Sequence, residues 1–373
     1  MKIALLTDGV FPSVTGGIQK HSFYFAKYLS ELNYRVDIYT RSTSLDDKLE
    51  FESSSINSNF VDKKTSRRYP GHYIRESYVF SRDIFSSMNN PYQYDFVYAQ
   101  GFTGWYYGLM RKKDKKLPPL ITNFHGLEMF QKAASFKEKL KQLLFKRAVK
   151  AVSLRSDVNC SLGGQLTPIL QQVTNGHSTI IETPIGIGED WLSLSHESMK
   201  KSKRSFVFLG RYERRKGIEE LSAVLSQLPL DFDFHFIGPI EEDKQIASEK
   251  VYYHGLVKDE SKIKDLLRNS DVLVCPSYSE GMPTVILEAM ASGCAIIASD
   301  VGAVSEQVDD ANGILIKPGN KVQLSDAIVN LIKLDDSTLV KMKKSSIERV
   351  NQKFVWNEVI QQNLKQIIKG IES

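Results

Sequence analysis

The chain has 373 residues, 42% hydrophobic, 25% charged and 10% aromatic, with a formal net charge of +5. That balance excludes a collagen-like, low-complexity or disordered chain. The absence of any run of about 18 apolar residues excludes a transmembrane helix. At about 150 residues per domain, the length predicts two or three domains. The net charge is unevenly spread. Residues 1–187 hold 25 Lys+Arg and 16 Asp+Glu, giving +9; the remaining 24 and 28 give −4, and +9 − 4 = +5. Two domains with different partners would produce such a split, and so would drift in surface composition.

The opening MKIALLTDGVF meets Asp8 early and offers no small-residue cleavage site, so it reads as a buried first strand, not a signal peptide. Lys2–Thr7 is that strand. Gly16–Asn33 follows with apolar residues at helical spacing, and Arg35–Thr40 alternates as a second strand. Residues 41–70 are polar and aperiodic and predict a long exposed loop or insertion. Further strands are predicted over Tyr94–Gln100, Leu120–Phe124, Asp157–Leu162 and Thr179–Glu182, with helices over 103–112, about 130–153 and 163–173. The second half repeats the alternation. Its strands are Ser205–Leu209, Phe232–Ile237, Tyr252–His254, Asp271–Pro276, Cys294–Ser299 and Ile314–Ile316. Its helices are 217–228, 258–269 and 283–292, and residues 321–373 are mostly helical. Repeated β–α alternation with buried strands predicts an α/β fold of parallel sheets covered on both faces. Two Rossmann-like domains joined near Thr183–Glu189 account for about a dozen strands most simply.

Ligands of such sheets bind in the loops at the carboxyl ends of the strands. Four of these loops hold reactive residues. The first ends in Gly16-Gly17 at a helix start, where free N–H groups can meet a phosphate. His125-Gly126 follows the Leu120–Phe124 strand, and an imidazole there can bond a sugar hydroxyl or a phosphate. The other six histidines (21, 72, 177, 196, 235, 254) share no metal-ligand spacing. Gly210-Arg-Tyr-Glu-Arg-Arg-Lys-Gly217 places Arg211 and Lys216 on either side of a turn, a site for a diphosphate. The fourth loop is Ser279-Glu-Gly-Met-Pro-Thr-Val-Ile-Leu-Glu288. Glu280 stands at its mouth, and Glu288 lies in the following helix among apolar residues. A carboxylate there needs hydrogen-bond donors, and ribose or sugar hydroxyls can supply them.

Glu280-x7-Glu288, with Gly210-Arg211-x4-Lys216-Gly217 upstream, resembles the family 4 retaining glycosyltransferases. The Gly16-Gly17 loop, the Phe124-His125-Gly126 loop and the hinge Gly186-Ile187 occur in the same order as in that family. The resemblance covers the whole chain. It implies a GT-B fold, two facing Rossmann-like domains with the donor nucleotide-sugar in the cleft. Residues 1–187 would form the acceptor-side domain and 188–353 the nucleotide-sugar domain, with a final helix at about 354–373 packing back on the first. Arg211 and Lys216 would bind the donor pyrophosphate and stabilise the leaving nucleotide. Glu280 would hold the sugar hydroxyls, assisted by the backbone of Gly281, Met282, Pro283 and Thr284, while Glu288 would bind the ribose. Gly16 and Gly17 would close on the phosphate, and His125 would lie near the reacting sugar.

The implied enzyme is a retaining, metal-independent hexosyltransferase. It would use a UDP- or GDP-sugar as co-substrate, need no cofactor, and extend a glycan or lipid-linked sugar in cell-surface polysaccharide synthesis. Two departures touch the cleft: the hinge Pro184-Ile-Gly-Ile-Gly188 lacks the family's Asn and Asp, and a Gly-Gly-x-x-Glu pattern reads Gly302-Ala-Val-Ser-Glu306. Asp231-Phe-Asp233 is an Asp-x-Asp, but at the strand end opposite the ligand loops. The alternatives are another nucleotide-sugar enzyme of this fold, such as an epimerase, or a non-catalytic sugar-nucleotide-binding protein.

Three scattered cysteines fit a reducing cytoplasm. Basic residues interleave with Phe136, Leu140, Leu143, Leu144 and Val149 over 132–155, the pattern of a helix lying on a membrane surface or of an ordinary helix with a solvated basic face. Cytoplasmic action at the inner face of a membrane is the corresponding expectation. No nucleic-acid-binding motif accompanies the basic stretches, and no nucleic-acid partner is expected.

Overall fold

The computed structural model describes residues 1–14, 16–42, 49, 51, 53–64, 71–192, 203–229 and 231–372. The chain divides into two compact units. The first comprises Met1–Leu127, Leu140–Pro184 and Trp356–Ser373; the second comprises Glu128–Lys139 and Ile185–Val355. The crossover at 184/185 falls inside the predicted hinge. Residues 128–139 group with the second unit, not with the amino-terminal one as the sequence division at 187 placed them.

In chain order the first unit holds β1 (Lys2–Leu6), α1 (Gly17–Glu31), β2 (Arg35–Arg41), β3 (Ile56–Val61), α2 (His72–Ser87) and β4 (Phe96–Gln100). It continues with α3 (Trp105–Lys113), β5 (Leu120–Asn123), α4 (Phe136–Ser153), β6 (Val158–Ser161), α5 (Leu166–Thr174) and β7 (Thr179–Glu182). Helix α4 begins in residues grouped with the second unit. All strand pairs are parallel, in the order β3-β2-β1-β4-β5-β6-β7.

Two elements depart from the sequence reading. Residues 56–61, expected in a long loop, form β3 at the sheet edge; residues 43–48, 50, 52 and 65–70 of that segment lie outside the described residues. An edge strand needs only one buried face, and INSNFV buries only Val61 fully, so it carries no apolar run to betray it. Helix α2 has no sequence counterpart either, because it buries only Phe80, Ser81 and Ile84.

The second unit holds β8 (Ser205–Leu209), α6 (Ile218–Leu225), β9 (Asp233–Ile237), β10 (Val251–Tyr253), α7 (Glu260–Arg268), β11 (Val272–Cys275) and α8 (Thr284–Ala291). It ends with β12 (Ala295–Ser299), α9 (Val304–Gln307), β13 (Gly313–Ile316), α10 (Lys321–Lys333) and α11 (Asp336–Lys353). The parallel order is β10-β9-β8-β11-β12-β13. Phe206, Phe232, Phe234 and Phe236 are fully buried together under α6 and α10, which explains the Phe alternation of β9. Asp231 and Asp233 sit at the amino end of β9, away from the ligand-loop end. Asn320 and Asp335 cap α10 and α11 by accepting from Gln323 N (3.1 Å) and Thr338 N (2.9 Å).

The last helix, α12 (Trp356–Glu372), returns to the first unit. Its inward residues Trp356, Val359, Ile360, Leu364 and Ile367 follow helical spacing, and Trp356 stacks on Tyr24 of α1 at 5.4 Å. Among the described residues no helix is long and apolar enough to cross a membrane. The three cysteines are buried and form no disulfide.

Candidate active site

In the second unit β8 lies beside β11, and the sheet grows outward in both directions from that pair. The loops leaving their carboxyl ends therefore part, and the crevice between them is the usual ligand site of an open parallel sheet. The loop after β8 carries Gly210–Gly217, and that after β11 carries Pro276–Pro283. Gly217 has φ +68, and a Cβ there would stand 2.0 Å from the Pro276 carbonyl oxygen. Only glycine lets the two loops lie against each other.

That contact brings Lys216 onto Glu280. Lys216 Nζ is 2.6 Å from Glu280 Oε1, which also accepts from Ser277 Oγ at 2.8 Å. Arg215 Nη1 stands 3.5 Å from Glu280 Oε2. Glu280 is buried. Burial pushes its carboxyl up, but the Lys216 and Arg215 charges and the hydrogen bonds outweigh it and hold the group below its ordinary value. Glu280 is therefore an anion, able to accept hydrogen bonds and unable to donate one.

The Glu280 backbone is clamped as well. Gln131 Nε2 donates to its carbonyl at 2.6 Å, and its amide donates to Gln131 Oε1 at 3.3 Å. Gly302, at φ +58, lies so close that a Cβ would be 2.2 Å from the Glu280 carbonyl oxygen. The Ala303 amide donates to the Gly281 carbonyl at 2.7 Å. The sequence variant Gly302-Ala-Val-Ser-Glu306 thus keeps its structural part, a glycine packed on the Glu280 loop.

The other predicted residues are placed less uniformly. Arg211 does not share the Lys216–Glu280 cluster; its side chain is 74% exposed and pairs with Glu213 at 3.2 Å. Sequence spacing put two fixed cations beside the turn, whereas the fold fixes Lys216 and adds Arg215. Arg214 braces the loop from behind. It forms a fork with Glu220 (2.8 and 2.6 Å) and lies 4.9 Å over the Tyr278 ring. Met282 and Pro283 are buried, Gly281 and Thr284 half-buried, and no side chain caps α8, which starts at Thr284. Glu288 is half-buried in the second turn of α8.

In the first unit the same topology recurs, with β1 beside β4. Gly16 and Gly17 open α1 after β1; Gln100 ends β4; His125 follows β5. His125 adopts φ +56, and its amide donates to Asn123 Oδ1 at 2.7 Å. A three-member chain then forms. The Nε2–H of His125 donates to Gln100 Oε1 at 2.5 Å, and Gln100 Nε2 donates to His21 Nδ1 at 2.9 Å. An amide oxygen only accepts and an amide nitrogen only donates, so this orientation requires a proton on His125 Nε2 and a neutral Nε2–H tautomer of His21. Burial lowers the His125 pKa to about 3 and, with the nearby His125, holds His21 well below its ordinary value. His21 also packs edge-on to Trp356 at 5.5 Å.

The sign of the pH effect follows. Below an ordinary imidazole value of 6.5 the unfolded chain binds protons that folded His21 and His125 refuse, so stability falls as pH drops. For His125 the loss reaches at most about 2 kcal/mol between pH 6.5 and 5. Urea unfolding at pH 7 and pH 5 should show the decline, and His125→Gln should shrink it. An undiminished decline in that variant would remove His125 from the account.

Gln131, Arg215, Ser277, Gln100 and His21 were not singled out from sequence. A polar residue ending a buried strand, as Gln100 does, could have drawn notice. Gln131 could not, since it meets Glu280 from 149 positions away.

Two parallel-sheet α/β units, each with polar residues gathered at the carboxyl ends of its strands, make this a GT-B glycosyltransferase fold. The chain belongs to the family 4 glycosyltransferases. The family described as "Glycosyltransferase Family 4" matches residues 15–161, and "Glycosyl transferases group 1" matches 203–334. An uncharacterized glycosyltransferase of Methanocaldococcus jannaschii is 25% identical over 97% of both chains. The N,N'-diacetylbacillosaminyl-diphospho-undecaprenol alpha-1,3-N-acetylgalactosaminyltransferase of Campylobacter jejuni is 27% identical over 74% of this chain and 78% of that one. Among solved structures, sucrose-phosphate synthase from Thermosynechococcus elongatus superposes with a TM-score of 0.81 at 20% identity, covering 99% of this chain and 98% of that one. Anabaena HepE in complex with UDP-glucose superposes at 0.71 and 17% identity, covering 99% of this chain and all of that one. The protein is a glycosyltransferase.

Proposed function

We propose that this enzyme is a retaining, metal-independent hexosyltransferase that takes its sugar from a UDP- or GDP-sugar. The acceptor is a glycan or lipid-linked sugar of a cell-surface polysaccharide, extended on the cytoplasmic side. The observation that carries the proposal is the Lys216–Glu280 pair, with Arg215 beside it, at the strand ends where β8 and β11 diverge. A cation and an anion in one crevice suit a donor with a charged diphosphate and an uncharged, hydroxyl-rich sugar. The relatives' names support the class of acceptor, and the UDP-glucose bound by the Anabaena neighbour supports the class of donor.

The roles follow from chemistry. Glycosyl transfer breaks the bond between the anomeric carbon and the phosphate oxygen and forms one to the acceptor oxygen. Negative charge grows on the leaving diphosphate. Lys216, with Arg211 and Arg215, neutralises it, and the uncapped start of α8 at Gly281–Thr284 adds N–H donors. Glu280 accepts from sugar hydroxyls, with Met282 and Pro283 shaping the loop, and Glu288 accepts from the ribose. Gly16 and Gly17 serve the phosphate and His125 the reacting sugar. Attack from the face of the leaving group retains configuration, and the departing phosphate takes the acceptor's proton.

Thermal-shift measurements with UDP-, GDP- and ADP-sugars, each with EDTA, test the proposal. A donor at 100 times its Kd stabilises by about 2.7 kcal/mol. Stabilisation by a UDP- or GDP-sugar that survives EDTA is the expected result. A shift that needs Mn²⁺, or that appears only with an ADP-sugar, would refute it.

A further inference from the structure

Helix α4 has two apolar faces, and only one of them has a core to meet. Phe145, Val149 and Val152 repeat at helical spacing and point inward: Val149 and Val152 are buried, and the Phe145 ring lies 5.8 Å from Tyr73 and 6.4 Å from Phe102. Phe136, Leu140, Leu143 and Leu144 repeat at i, i+4, i+7 and i+8, which is one stripe of a 3.6-residue helix. They are 83%, 60%, 55% and 49% exposed. At 100° per residue this stripe lies on nearly the opposite side from Phe145 and Val149. Four of the ten large exposed apolar side chains among the described residues therefore sit within three turns of one helix.

The charges around the stripe say what it fits. Lys137 and Lys141 border one edge, Lys139, Lys146 and Lys150 the other, and Arg147 continues the stripe a turn further. Six cations face one anion, Glu138, which lies toward the inner side and accepts from the Ala134 amide at 3.2 Å. A protein partner can present any pattern. A bilayer surface presents one: apolar chains under an anionic layer, into which a helix sinks its apolar stripe while flanking lysines extend their heads outward.

We propose that the outer face of α4 is a docking surface for an anionic lipid bilayer. The face holds the enzyme where a lipid-linked acceptor resides, so the proposal extends the acceptor reading above. Its evidence and its test do not depend on the donor site.

The full chain is mixed with phosphatidylcholine vesicles, with and without phosphatidylglycerol, and sedimented. The wild type should pellet with the anionic vesicles at least tenfold more than with neutral ones, and high salt should weaken binding. The triple variant Leu140→Ser, Leu143→Ser, Leu144→Ser should lose at least tenfold in anionic-vesicle binding while melting at the wild-type temperature. Lys137→Ala with Lys141→Ala should weaken binding to anionic vesicles only. Lys216→Ala should bind vesicles like the wild type, which separates failure of this surface from failure of the donor site. Equal binding to both vesicle types, or wild-type binding by the triple variant, overturns the proposal. So does a concentration-dependent dimer that the triple variant abolishes, which would assign the stripe to a second copy of the chain.

Discussion

Lys216→Ala should lower kcat by about 10²–10³, the usual loss when one preorganised donor to a developing oxyanion is removed. Two features set the size. Lys216 is held by Glu280 at 2.6 Å and by its place before Gly217, so it needs no reorganisation when the leaving group gains charge. Arg211, by contrast, is 74% exposed and pairs with Glu213, so Arg211→Ala should cost less, about tenfold or under. Steady-state kinetics on the two variants, with circular dichroism to confirm folding, decides the order. If Arg211→Ala loses more than Lys216→Ala, the cation that neutralises the leaving group has been misassigned.

Glu280→Gln should lower kcat/KM by roughly 10- to 150-fold, the equivalent of one charged hydrogen bond to a sugar hydroxyl at about 1.5–3 kcal/mol. The same variant has a stability signature. Glu280 is buried against Lys216 and Arg215. An amide there leaves two cations without their anion, at a cost of about 1–3 kcal/mol at neutral pH. The folded carboxyl titrates below its ordinary value of 4.5, so its contribution is present above that value and lost as pH falls through the folded one. Denaturation curves of wild type and Glu280→Gln should therefore differ at pH 7 and converge in acid. A constant gap at every pH would mean that the carboxylate charge is not what stabilises the loop. Unchanged kcat/KM would take Glu280 out of donor binding.

Most strands and helices were legible because a parallel sheet covered on both faces demands unbroken apolar strands, and these stand out between polar loops. Segments with weaker burial were not. β3 escaped because an edge strand can be polar, and α2 because it buries only three residues. The glycines were legible only in part. Gly217 stands out as a helix-opening residue, but the 2.0 Å approach to Pro276 that makes it necessary is a tertiary fact.

The residues most exposed to misreading were the charged ones. Spacing assigned Arg211 and Lys216 equal roles, since each lies near the turn after the same strand. Which of them is fixed depends on what the neighbouring loop presents, and that loop comes 64 residues later. His125 was legible as a strand-end histidine. Its neutral state was not, because burial imposes it, and the Gln100 and His21 side chains that enclose and orient it come from β4 and α1.

The sequence by itself determined the α/β class, the positions of the ligand loops and the family, because strand burial and loop composition are local properties of the chain. The tertiary structure decided which loops meet. Strand order is set by how β-α units pack side by side, not by their succession, and it placed β8 beside β11 and β1 beside β4. That choice turned Lys216 and Glu280 into one electrostatic unit, joined His21, Gln100 and His125 into one chain, and left Arg211 at the surface. It also decided which apolar face of α4 was used for folding and which was left outside, a distinction that helical spacing alone cannot draw.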